Sequence, residues 1–108
     1  MKTTRVMAAA IALPFLIGVA HAQPAADADL RSARLLASNC ATCHGTLGNA
    51  QGAMPSLAGQ QKTYIAEQMR VFRDGKRPAT IMHQLAKGYT DQQVELIADF
   101  FSRQKPAR

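Results

Sequence analysis

At 108 residues the chain has room for one domain and not for two. Thirteen Lys and Arg stand against seven Asp and Glu, a formal charge of +6 at pH 7, which favours an acidic partner surface. Beyond the first few residues the bases are scattered from Arg31 to Arg108 with little aromatic interleaving, a pattern that argues against a nucleic-acid groove.

The first segment reads as an export signal. Lys2 and Arg5 form a short basic start, Val6 to Ala20 is an apolar run broken by Pro14 and Gly18, and Ala20-His21-Ala22 is an A-x-A cleavage site. Residues 1–22 are therefore expected to be removed, leaving 23–108 as a single domain without a membrane span, which would need about 20 unbroken apolar residues. The mature chain keeps eleven bases against seven acids. A domain this short buries a thin core, and below roughly 80 residues such chains usually need a disulfide or metal reinforcement.

Gln23 to Ala28 reads as a flexible start. From Asp29 the pattern turns helical, with Leu30, Ala33, Leu36, Ala37 and Cys40 on one face and Arg31, Arg34 and Ser38 turned away. This helix ends in Cys40-Ala41-Thr42-Cys43-His44, which uses both cysteines of the chain. A C-x-x-C-H run lets two thiols add across the vinyl groups of a haem while the following histidine reaches the iron. No strand-rich pattern surrounds it, which argues against a thioredoxin-like redox pair. The haem then supplies the centre of the domain, and the apo chain is expected to be largely unfolded.

Gly45 to Gly59 holds four glycines and Pro55, too many breakers for a regular element. A second helix is predicted from Lys62 to Asp74, with Ile65, Met69 and Phe72 inward and Gly75 as its stop. Thr80 to Lys87 is irregular with room for a helical turn. Thr90-Asp91-Gln92-Gln93 has the form of a capping box opening a last helix to Arg103, with Val94, Ile97, Ala98 and Phe101 inward. Asp91, Glu95 and Asp99 line its acidic outer edge, and Leu96 and Phe100 widen the apolar arc.

With His44 on one face of a haem, the opposite face needs a ligand from Met54, Met69, Met82 or His83. Met54 lies too near His44 in the chain, and Met69 sits on the apolar stripe of the second helix. Met82 lies between two helices, far enough along the chain to cross to the other face, and is the expected distal ligand; His83 is read as a surface side chain. A thioether there favours ferrous iron and fills the last position, which argues against a gas sensor or a peroxide-using haem enzyme.

The helix ending in C-x-x-C-H, the run Pro55-Ser56-Leu57-Ala58-Gly59, Met82 and the closing aromatic helix together resemble a class I cytochrome c across 23–108. The resemblance implies an all-α fold of three to five short helices wrapped around one covalently bound haem c. Its first and last helices would cross, with Ser32 and Leu36 against Phe100 or Phe101. Cys40 and Cys43 would hold the ring, His44 and Met82 would be the axial ligands, the Pro55 carbonyl would accept from His44, and Leu57 would pack on the haem edge.

The stretch from Phe72 to Met82, continuing through Ala86-Lys87-Gly88-Tyr89-Thr90-Asp91, resembles the haem subunit of flavocytochrome c sulfide dehydrogenase, here in a single-haem version. That resemblance implies a periplasmic electron-transfer subunit with no catalytic site of its own, reduced by an FAD-bearing sulfide dehydrogenase partner. A free-standing periplasmic carrier, exchanging electrons with other redox proteins such as a terminal oxidase, is the alternative. Steering by bases such as Arg73, Lys76 and Arg77 would mark the carrier.

Overall fold

The computed structural model describes residues 25–108. The export signal expected over 1–22 lies outside them.

Helix α1 spans Ala25–His44, earlier at its start than the pattern from Asp29 suggested. The expected flexible start is thus helical from Ala25, because no Gly or Pro interrupts the segment and alanine carries the highest helix propensity. Asp27 in the first turn also faces the positive end of the helix dipole. The helix carries Cys40 to His44 in its last turns and stops at Gly45, which has a φ of 82°.

Helix α2 spans Lys62–Arg73. Its end is a Schellman motif: the N–H of Gly75 bonds the Phe72 carbonyl at 3.1 Å, and that of Lys76 the Val71 carbonyl at 2.9 Å. Arg77 then folds back over the Phe72 ring, 4.9 Å from its centroid, and bonds Gln68 Oε1. Helix α3 is a single turn, Met82–Leu85, continued by a 3₁₀ turn over Ala86–Gly88. Helix α4 spans Asp91–Ser102 and opens on the capping box: Gln93 N–H donates to Thr90 Oγ1 at 3.2 Å, and Thr90 N–H donates to Gln93 Oε1 at 3.0 Å.

Helix α4 is the centre of the molecule. It packs against both α1 and α2, and its Val94, Ile97, Ala98 and Phe101 are all buried, as the periodicity predicts. Ile65, Ala66 and Met69 close the core from α2, and Ala37 from α1. The crossing helix is lined by alanine: Ala33 and Ala37 are buried, whereas Ser32 is exposed. Ser32 precedes Ala33 by one residue, roughly 100° around the helix, so a face that buries Ala33 turns Ser32 to solvent. Leu30 is likewise not part of the seam, with 57% of its surface exposed. Leu36 packs against the core.

The acidic edge of α4 stays at the surface and pairs there with the bases of α2. Arg73 meets Asp91 at 2.7 Å, Arg70 meets Glu95 at 2.6 Å, and Lys62 lies 3.4 Å from Glu95 and 4.0 Å from Asp99. Among the described residues no strand is present, and no helix is long and apolar enough to cross a membrane.

Candidate haem site

The site begins with the way α1 ends. Gly45 N–H caps the Ala41 carbonyl at 3.0 Å, and the left-handed turn leaves His44 as the last helical residue, 7% exposed. Its Nδ1 lies 2.7 Å from the Pro55 carbonyl oxygen. A carbonyl only accepts, so Nδ1 carries the proton and donates, and Nε2 is left with the lone pair.

Pro55 is held at that place by bonds from the rest of the loop. The Gly48 carbonyl accepts from Leu57 N–H at 2.8 Å and Ala58 N–H at 3.1 Å, and Ala50 N–H donates to Ser56 Oγ at 3.0 Å. Gly48 is pressed against Phe101: a Cβ on it would lie 2.7 Å from the Phe101 ring. Gly59 N–H donates to the Phe101 carbonyl at 3.0 Å. Asn49 ties the loop to the C-terminal tail, its Nδ2 donating to the Lys105 carbonyl at 3.1 Å and its Oδ1 accepting from Ala107 N–H at 2.6 Å. Asn49 carries no signal in the sequence, because its partners lie more than fifty residues away and meet it only after folding.

Both cysteines are free thiols, Cys40 half-buried and Cys43 exposed, and burial pushes the Cys40 thiol above its ordinary pKa. Spaced at i, i+3 and i+4, Cys40, Cys43 and His44 are neighbours on the helix surface. Cys40, Leu57 and Met82 all pack, partly buried, against the same core cluster. Met69 is a core residue, 7% exposed, and Met54 is 42% exposed on the loop that carries Pro55. His83 departs from the surface position expected of it: the side chain is half-buried, and its Nδ1 is enclosed without a hydrogen-bond partner.

A family profile described as "Cytochrome C oxidase, cbb3-type, subunit III" matches residues 27–101. The chain belongs to the cytochrome c family. This cytochrome is 42% identical over 67 residues to the cytochrome subunit of sulfide dehydrogenase of Chlorobaculum tepidum, a match that covers 62% of this chain and 61% of that one. It is 38% identical over 85 residues to the thiosulfate dehydrogenase electron acceptor of Thiomonas intermedia, covering 77% of this chain and 39% of that one. The solved structure of Acidithiobacillus ferrooxidans cytochrome c4 superposes with a TM-score of 0.65 at 32% identity, over 70% of this chain and 50% of that chain. The chain thus spans only part of the length of these relatives.

Cytochromes of this family hold haem c covalently, and the chain has the parts for it. Two unpaired thiols stand beside a histidine whose tautomer leaves Nε2 ready to ligate. Leu47, Met54, Ile81 and Leu85, on the segments that follow the motif and flank Met82, are each 42% exposed or more. Such apolar surface suits contact with a planar apolar ring.

Proposed function

We propose that Cys40 and Cys43 form the two thioethers, that His44 Nε2 and the Met82 thioether are the axial ligands, and that the cytochrome transfers electrons in the periplasm after removal of residues 1–22. The observation that carries this reading is the 2.7 Å bond from His44 Nδ1 to Pro55. It fixes the ring and sets the tautomer that leaves the Nε2 lone pair free to ligate. When bound, the haem supplies a one-electron ferric–ferrous couple. Met82 would close the sixth position to small ligands and, as a neutral thioether, favour the ferrous state relative to a second imidazole. Leu57, partly buried against the same core cluster as Cys40 and Met82, would contact the ring.

The electron source favoured here is a sulfur-compound dehydrogenase, with the cytochrome bound to an FAD-bearing sulfide dehydrogenase subunit. The likeness to a sulfide dehydrogenase cytochrome and to a thiosulfate dehydrogenase electron acceptor supports it. A free-standing carrier is the second reading, favoured by the likeness to cytochrome c4. Gel filtration with the flavoprotein at high ionic strength, followed by sulfide-dependent haem reduction, separates them. Co-elution and reduction support the subunit, because an apolar interface resists salt whereas a charge-steered encounter does not. A cytochrome that elutes alone and stays oxidised is a carrier.

A further inference from the structure

His83, the residue next to Met82, has no part in the proposed haem ligation. His83 is half-buried, its Nδ1 is enclosed without a partner, and neither ring nitrogen is hydrogen-bonded within the described residues. His44 provides the contrast, since its ring is anchored by the bond to Pro55. An imidazole that the protein does not hydrogen-bond loses no such bond when it moves.

The backbone that carries the pair is bonded only within its own turn, where the Ile81 and Met82 carbonyls accept from Gln84, Leu85 and Ala86. Apart from Pro78, which has no N–H, residues 77 to 83 donate no backbone hydrogen bond within the described chain. Helix α3 has only four residues, its preceding residue Ile81 is non-helical with a φ of −140°, and no side chain caps its start. A segment with so few bonds has low local stability and opens readily. Met82 and His83 stand roughly 100° apart around a helix axis, so a rotation of this one turn exchanges their directions.

We propose that His83 is a reserve axial ligand, taking the distal position on ferric iron when the Met82 thioether is lost from it. The proposal rests on Met82 being the resident ligand. The chemistry favours the exchange in one direction, because imidazole supports ferric iron better than thioether does.

The test compares holoproteins carrying Met82→Leu, which keeps side-chain volume, with Met82→Leu/His83→Ala. In the first, the ferric protein should lose the weak red methionine-to-iron band yet remain low-spin with two nitrogen ligands by electron paramagnetic resonance. The second should be high-spin, and its ferrous form should bind carbon monoxide more tightly by roughly tenfold or more, since no internal ligand competes. Haloacetate alkylation of the wild-type and His83→Ala holoproteins, which converts the thioether to a sulfonium and releases halide, gives the same comparison without a Met82 variant. A high-spin Met82→Leu protein with the carbon monoxide affinity of the double variant overturns the proposal and leaves Met82 as ligand. A double variant that stays low-spin also overturns it, by assigning the capture to another donor. Survival of the methionine band in Met82→Leu overturns the parent reading, and the reserve role with it, before His83 is altered.

Discussion

Gly45 carries the turn on which the His44–Pro55 bond depends. A Cβ at this position would lie 1.9 Å from the Asn49 carbonyl oxygen, and the backbone φ of 82° is one that a side chain resists. Gly45→Ala is therefore expected to cost more than about 3 kcal/mol, beyond ordinary backbone strain, and to cut the yield of mature holoprotein; haem staining of equal cell extracts checks it. Asp91 offers a gentler test. The Arg73 guanidinium, hydrogen-bonded to it at 2.7 Å, holds its carboxyl below the usual carboxylate range. A group lowered by folding adds stability above its unfolded pKa, and that stability is lost as the pH falls through the folded value. Asp91→Asn should thus melt slightly below the wild type at neutral pH, with the gap closing in acid; melts across a pH series would show a constant gap if the pair contributed nothing.

Among the elements, α4 holds the fold together and α3 holds it least. Phe101 is fully buried, touches the position of Gly48 and passes its carbonyl to Gly59, so it supports both the core and the His44 loop. Phe101→Ala is expected to destabilise the holoprotein by about 3–5 kcal/mol in denaturant titration. Thr90→Ala, which removes one arm of the capping box, should cost about 1 kcal/mol. Much of this was legible in sequence because it is local: the α4 stripe, the capping box and the Gly75 stop each lie within a few turns of their partners. The haem motif was legible from its own five residues, and the Pro55 loop through family likeness. The seam of α1 was read less well, since Leu30 looked eligible by spacing and apolarity and Ser32 by the family likeness. Only the close approach of α4 selects Ala33 and Ala37, the small side chains, for burial. The enclosure of His83 likewise depends on tertiary packing that no neighbouring residue announces.

At the scale of the whole molecule, the charge available to a partner differs from the count of bases. Arg73 is spent on Asp91, and Lys76 lies 3.7 Å from Asp74, so two of the three bases expected to steer a partner already have carboxylates. Among the described residues Arg77 and Lys87, on the segments flanking α3, have no carboxylate within ion-pair distance. Arg77→Gln and Lys87→Gln are expected to slow association with an acidic redox partner at low salt more than Arg73→Gln does, as read by stopped-flow reduction. All of this presumes a ring fixed at the end of α1, and peptide mass spectrometry tests that most directly. After acid–acetone treatment and trypsin digestion, the peptide from Leu35 to Lys62 should carry one haem, bound through Cys40 and Cys43. Recovery of that peptide with two unmodified thiols, and of the haem in the solvent, would contradict the account.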